Sequence, residues 1–329
     1  MSVRDTILVT GGAGFVGSHF ARLASEAGSR VIVLDDLSGA PDWPALPPQI
    51  ERVRGDIADR SLVAKLIKES HATAIVHFAG KICVGESVTN PALYFEHNVG
   101  KSLALLETVR EVGPSAFLFS STAAVYGEPK ATPIAESARY APVNPYGATK
   151  LAIEHALASY GPAYGIRWGV LRYFNAAGAH PEGTLREAHD PETHLIPLAI
   201  DAALGRRPKL TVFGADYPTR DGTCERDYVH VCDLARAHLD ALDALDAGKE
   251  LGAINLGRGR GNTVREVIET VSRVLGKDVP HEVGPRRAGD PAVLVASNLL
   301  ARQVLGWRPE RDELGTIVED AVRSRQVLR

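Results

Sequence analysis

The 329-residue sequence is short of several things, and each shortage excludes something. Cysteine occurs three times, as Cys83, Cys224 and Cys232. An odd number without metal-ligand spacing argues against a disulfide framework and reads as reduced thiols, which fits a cytoplasmic protein. No apolar run approaches ~18 residues and no basic-then-apolar leader is seen, so neither a membrane span nor an export signal is expected. The formal net charge is −3 with no long basic run, which argues against nucleic acid as a partner. Internal repeats and low-complexity tracts are missing too. What is present is an ordinary globular balance, 45% hydrophobic and 23% charged residues, which argues against disorder. A chain this long buries a sizeable core, as one large or two closely joined domains.

Ile7-Leu8-Val9-Thr10 reads as a short buried strand, and Gly11-Gly12-Ala13-Gly14-Phe15-Val16-Gly17 follows at once, opening a helix that stops near Gly28. In this order Gly11 allows a tight turn, Gly14 admits a diphosphate to the backbone, and Gly17 lets helix and strand pack closely. Free amides at the helix start hold such a diphosphate. The next strand, Val31 to Leu34, ends at Asp35, whose carboxylate suits the two hydroxyls of an adenosine ribose and repels a 2′-phosphate. No Arg follows in Asp36-Leu37-Ser38, so NAD is expected rather than NADP.

Further on, Pro41, Pro44, Pro47 and Pro48 mark a loop. Asp56, after the strand end Val53-Arg54-Gly55, either meets the adenine amino group or caps the following helix. Ala74 to Phe78 is a buried strand ending in Ala79-Gly80, small residues that leave room for a cofactor. One long helix is expected from Pro91 to about Val112, carrying Asn98, and then a strand Ala116 to Phe119 running out into Ser120-Ser121-Thr122. Strands alternating with helices imply an α/β fold with a parallel sheet covered on both faces.

In Asn144-Pro145-Tyr146-Gly147-Ala148-Thr149-Lys150, Pro145 fits a first helical turn. A helix running on through Glu154 puts Tyr146 and Lys150 on one face, about 6 Å apart along the axis. A tyrosine of pKa near ~10 is a poor base at neutral pH, and a neighbouring ammonium favours its phenolate. A hydroxyl such as that of Thr122 can relay a proton to it. Tyr-x-x-x-Lys alone is common; the glycine turn and the strand-end hydroxyls give it weight.

Together, Gly11-x-x-Gly14-x-x-Gly17, Asp35, Thr122, Tyr146 and Lys150 resemble the extended short-chain dehydrogenase/reductase superfamily. Within it, TGGAGFVGSH (10–19), SSTAAVYG (120–127), NPYGATK (144–150), LRYFNAAGAHPEG (171–183), VFGADYPTRDGTCERDYVHVCDLA (212–235) and RRAGDPA (286–292) resemble the UDP-glucose 4-epimerase family, over nearly the whole chain. The resemblance implies interconversion of UDP-glucose and UDP-galactose through a 4-keto intermediate, by reversible hydride transfer to tightly bound NAD. Tyr146 would be the catalytic base, with Lys150 on the nicotinamide ribose and Thr122 assisting. Cofactor contacts would come from Gly11, Gly12, Gly14, Phe15, Val16, Gly17, Asp35, Asp36, Asp56, Ile57, Phe78, Ala79, Gly80, Asn98, Ser120, Tyr173 and Phe174. The UDP-hexose would meet Thr122, Tyr146, Asn175, Leu195, Phe213, Arg226, Arg287, Asp290 and Leu294. A guanidinium fork matches a diphosphate, although Arg226 could instead pair with Asp227 or Asp221.

The resemblance further implies a Rossmann-type doubly wound sheet over residues 1–175 with a returning segment about 226–258. A smaller α/β substrate-binding domain would comprise 176–225 and 259–329, and the assembly would be a homodimer. Residues 176–224 show no βα rhythm, helices are expected at 263–275, 299–305 and 314–322, and a strand at 292–296. His180, His189 and His194 match no usual metal spacing, so no metal is expected. Two departures stand out: Ile82 where the family often has Lys, and Glu225 where an apolar residue is common. A 4,6-dehydratase or decarboxylase would need an acid or base beside Thr122, where Ala123-Ala124 stand, and a non-catalytic NAD-binding regulator would be expected to lack Tyr146, Lys150 or the arginines.

Overall fold

The computed structural model describes residues 6–40, 42–113, 116–189, 191–287 and 289–327. Pro41 of the proline-marked loop, Ala288, and the outermost residues of the two domain readings (1–5 and 328–329) lie outside them. In chain order the elements are β1 (Thr6–Thr10), α1 (Phe15–Glu26), β2 (Arg30–Asp35), β3 (Glu51–Arg54), α2 (Arg60–Ser70), β4 (Ala74–His77), α3 (Val84–Thr89) and α4 (Pro91–Tyr94). A π-helical segment Phe95–Gly100 follows, then α5 (Lys101–Val112), β5 (Ala116–Thr122), a 3₁₀ turn Ala123–Tyr126, α6 (Pro145–Tyr164), β6 (Arg167–Tyr173), β7 (Asn175–Ala177), α7 (Leu195–Ala203) and β8 (Leu210–Phe213). The rest is β9 (Glu225–Arg226), β10 (Tyr228–His230), α8 (Val231–Asp246), β11 (Gly252–Leu256), β12 (Asn262–Thr263), α9 (Val264–Leu275), β13 (His281–Gly284), β14 (Val293–Leu294), α10 (Leu299–Leu305) and α11 (Leu314–Val327).

Among the described residues, seven strands form one parallel sheet in the order β11-β6-β5-β4-β1-β2-β3. This is the doubly wound Rossmann-type order, and the winding reverses between β1 and β4. Alternation along the strands explains why both faces are covered. Ile7, Val9, Val31, Val33 and Leu118 point into one core with Phe20 of α1 and Leu234 of α8. Leu8, Ile32, Leu34, Phe117 and Phe119 point into the other with Leu66, Leu105 and Leu157 of α2, α5 and α6. Each fully buried aliphatic side chain contributes roughly 1.5–3 kcal/mol. A third core joins Ile200 of α7, Val212 of β8, Val271 of α9 and Ile317 of α11. Its backbone frame is three short pairings: β8 with β13, β7 with β10, and β9 between β12 and β14.

Several expectations are corrected. The helix over 91–112 is interrupted by the π segment, which holds Asn98. Asp56 does not cap a helix: Asp59 does, accepting from Leu62 N at 3.0 Å. Segment 176–224 does carry a helix and a strand, α7 and β8, which the many Gly, Pro and His around them obscure. Ser120 to Thr122 belong to β5 itself, α6 runs ten residues past Glu154, and the strand expected at 292–296 is paired over Val293–Leu294.

Candidate functional site

The crevice at the carboxyl ends of β1 and β4 is where a sheet of this order takes a ligand. Gly11 leaves β1 at φ +73, and a Cβ there would fall against the backbone of Ala79. A Cβ on Gly12 would lie 2.6 Å from Val33 Cγ1, so the turn accepts no side chain at either place. Gly14 caps α1 without any side-chain bond, and no acidic residue stands in the first turn. The helix therefore presents unshared amides to an anion. This cradle fits a dinucleotide diphosphate. Phe15 and Gly17 are buried in the helix start, with Val16 half-buried between them.

Asp35 ends β2 with Oδ2 accepting from Ala13 N and Oδ1 from Leu37 N, both at 2.9 Å. Burial raises its pKa while these amides oppose the rise. The carboxylate is fixed beside the glycine turn, as a ribose acceptor needs. Asp36 points away and accepts from Ser38 N. Asp56 is paired with Lys101 at 2.6 Å, and Ile57 packs in the core beneath. On the β4 side, Phe78 packs against Phe20 and His238, with ring centroids 5.6 and 4.8 Å away. Asn98 spends its amide on the backbone N and O of Lys81 (2.7 and 3.0 Å) and on Thr149 (3.1 Å). It thus holds the loop after Gly80 against α6.

The chemistry sits on α6 and the end of β5. Asn144 caps α6 by accepting from Gly147 N at 2.8 Å, a contact whose loss costs about 0.5–2 kcal/mol. Tyr146 and Lys150 lie a turn apart on that helix. Thr122 Oγ1 accepts from Ala124 N at 3.1 Å, which leaves the hydroxyl proton free to be donated. Burial pushes Tyr146 up to about 12, and the Thr122 bond pulls it back. Lys150 is buried, bonded to the Ser120 carbonyl at 3.0 Å and seated over the Phe119 ring; burial takes it down to about 8, with Glu154 opposing. Burial therefore outweighs the expected pull of Lys150 on the phenol. Tyr173 is bonded to His238 at 2.7 Å, and Phe174 packs beside Ala123 and Tyr126.

Behind these groups lies a network that sequence reasoning missed. Glu154 accepts from Ser121 and from Arg172, whose Nη2 stands at 2.5 Å. Arg172 also donates to Tyr126 at 2.7 Å, and Tyr126 to Asn255. Arg172 is 1% exposed and Glu154 5%, so this is a fully desolvated ion pair bracing α6 against β5 and β6. Glu154 is on the Lys150 face one turn further, which was the available signal; the partner Arg172 was not legible.

The opposite wall is charged. Arg226 on β9 pairs with Asp290 and donates to the Glu225 carbonyl at 2.8 Å, so neither Asp227 nor Asp221 is its partner. Asp227 instead accepts from the amides of Arg258 and Gly259. Arg287 is exposed, its guanidinium 3.8 Å from the centre of the Phe213 ring. Asn175 is paired with Tyr228 across β7 and β10. Leu195 begins α7. Leu294, half-buried, packs with Ala123 and Tyr126, next in the chain to Thr122. Glu225 now has a reason: it pairs with Arg220 at 2.8 Å. Of the three histidines, His180 stands beside His19, whereas His189 and His194 meet each other and Glu187, a grouping their spacing did not suggest.

Three comparisons bear on this site. The NAD dependent epimerase/dehydratase family matches residues 7–257. A UDP-glucose 4-epimerase of Streptomyces lividans is 49% identical over 315 residues, 95% of this chain and 94% of that one. Among solved structures, a UDP-glucose 4-epimerase from Brucella ovis in complex with NAD superposes with a TM-score of 0.92 at 45% identity, covering 97% of this chain and 98% of that one. One from Bifidobacterium longum in complex with NAD+ and UDP gives 0.92 at 35% identity, covering 98% of each.

Proposed function

The chain belongs to the NAD dependent epimerase/dehydratase family, and on that premise we infer that it works as a UDP-glucose 4-epimerase, interconverting UDP-glucose and UDP-galactose. The observation that carries the reading is Tyr146 one helical turn from buried Lys150 on α6, with Thr122 at the end of β5 and a glycine turn that has no room for side chains.

NAD fits that turn: the unshared amides at the start of α1 would hold its diphosphate, Asp35 its adenosine ribose and Lys150 its nicotinamide ribose. When bound, NAD supplies reversible hydride acceptance and a positive charge near Tyr146, with no net redox change. The remaining work belongs to this chain. Tyr146, as phenolate, takes the proton of the sugar's 4-hydroxyl and later returns one, the general base and acid of a reversible oxidation. Thr122 donates to the phenolate and holds the proton path. Arg226 and Arg287 hold the diphosphate, and Asp290 a uridine ribose hydroxyl, so that the 4-keto sugar turns about that anchor and presents its other face. Asn175, Leu195, Phe213 and Leu294 line the sugar nucleotide. The buried 3₁₀ turn Ala123–Tyr126 brings no carboxylate beside Thr122, which argues against dehydration or decarboxylation.

The chain is also read here as two domains, 1–175 with 226–258 and 176–225 with 259–329, and as a cytoplasmic enzyme of galactose metabolism. Among the described residues no helix is long and apolar enough to cross a membrane. Exposed Val88 and Phe95 beside the π segment support a homodimer, which light scattering checks. The decisive experiment is incubation with UDP-galactose and chromatography of the sugars. UDP-glucose should accumulate to equilibrium without added NAD; a dehydrated or decarboxylated product, or none, overturns the reading.

A further inference from the structure

The segment that leads into α7 gathers ligands of a different kind. Glu187, His189 and His194 each offer an atom, and the three atoms lie within 4.8 Å of one another. His189 Nδ1 is in direct contact with Glu187, and His194 Nδ1 lies 3.6 Å from the other oxygen of that carboxylate. The two rings are 5.6 Å apart between centroids. Glu187 is buried, while the histidines are half-buried at the mouth of the group, so an ion could reach them from solvent.

We propose that Glu187, His189 and His194 form a binding site for a divalent transition metal of the zinc class. Two imidazoles and a carboxylate are a ligand set that zinc favours, with a fourth position left to water. Ligand atoms around a tetrahedral zinc stand roughly 3.4 Å apart. The observed separations therefore close with about an ångström of side-chain movement. The surroundings support the site. Glu192 is bonded to His194 Nδ1 at 2.9 Å and so fixes that ring beside Glu187; an ion on Nδ1 takes the place of this hydrogen bond. Arg325 of α11 in turn holds Glu192 at 2.9 Å and Asp201 of α7 at 2.7 Å. His194 is also the residue that caps α7. A bound ion therefore ties three things together: the 187–194 loop, the start of α7 and, through Glu192 and Arg325, the last helix. Its role is structural, since the proton chemistry lies elsewhere, on α6.

The test uses the full-length protein carrying its cofactor, stripped with a chelator and titrated with zinc ions. Metal content is measured after gel filtration, and thermal unfolding is followed with and without zinc. Wild type and the control His180→Ala should hold about one equivalent and melt higher with zinc. His189→Ala and His194→Ala should bind at least about tenfold more weakly and show no zinc-dependent rise in melting temperature. Both histidines are partly exposed, so these variants should fold. Absence of uptake by wild type at micromolar zinc overturns the proposal. So does equal uptake by both site variants, which would put the ion elsewhere.

Discussion

The two walls of the cleft are built on opposite principles. The glycine wall satisfies most of its polar groups with neighbours close in sequence: Asp35 with Leu37, Asn144 with Gly147, Thr122 with Ala124. The opposite wall satisfies its charges across long separations, Arg226 with Asp290 and Arg287 against Phe213. A wall of local bonds and absent side chains is rigid before any ligand arrives. The Arg226–Asp290 pair joins a buried guanidinium to a partly exposed carboxylate, so it can exchange partners, trading that carboxylate for a diphosphate while the guanidinium keeps an anion. The first arrangement suits a cofactor that stays; the second suits a substrate that must enter, turn over and leave.

If that contrast holds, the largest losses come from the rigid wall. Tyr146→Phe removes only the phenol oxygen and should lower turnover by about 10²–10⁴-fold while leaving folding and bound NAD nearly intact. Near-normal steady-state turnover in this variant would end the catalytic assignment. Next is Glu154→Ala, which strands Arg172 in a fully buried place. Breaking a buried pair costs about 3–5 kcal/mol, and urea unfolding should show it. The matched cut on the other wall, Asp290→Ala, should cost less, about 1–2 kcal/mol in the same assay, because Asp290 is partly exposed and Arg226 keeps its bond to the Glu225 carbonyl. Equal losses would erase the distinction between the walls.

The same contrast governs what was legible in the sequence. Gly11, Gly14, Gly17 and Asp35 could be read because each need is local: a turn, an approach, a strand end. The parallel sheet covered on both faces followed from strands alternating with helices for the same reason, and its Rossmann-type order from the family resemblance. Arg172, set by a contact across 18 residues, could not be read, nor could the partner of Arg226, 64 residues away. Of the two readings left open for Asp56, the helix cap falls away because Asp59, three residues on, makes that cap. The π segment at Asn98 has no signature in composition, since its residues are ordinary helix formers. The histidine cluster was missed because its buried member is a glutamate, and spacing rules look for histidines and cysteines.

A smaller effect sharpens the cofactor side. Asp35→Ser keeps a hydroxyl near the ribose but removes the negative charge. Preference for NAD over NADP should fall by about 1–2 kcal/mol, roughly five- to thirtyfold in the ratio of dissociation constants. Tighter binding of NADP than NAD by the unaltered protein would contradict the role given to Asp35. Fluorescence titration of cofactor-stripped protein reads both.

An effect of similar size belongs to Leu294, where the two walls meet. Its side chain packs against the small cluster of Ala123, Val125, Tyr126 and Ile134 that follows Thr122, and its strand β14 runs along β9 with Leu294 opposite Arg226. A residue so placed borders both the reacting end and the diphosphate anchor. If it faces the sugar, its bulk limits the substituent at C2. Leucine is intermediate and flexible, so UDP-glucose and UDP-galactose should be the better pair, with the N-acetyl pair slower. Leu294→Tyr should depress the N-acetyl pair selectively and Leu294→Ala should raise it, each by about 1–3 kcal/mol in relative specificity constant. The alternative is that Leu294 only fills the small core around Tyr126. In that case both variants lower stability and shift the two sugar pairs equally. Specificity constants for both pairs, measured alongside urea unfolding, separate the two: a change in the ratio makes Leu294 a gate, and an unchanged ratio with lost stability makes it packing.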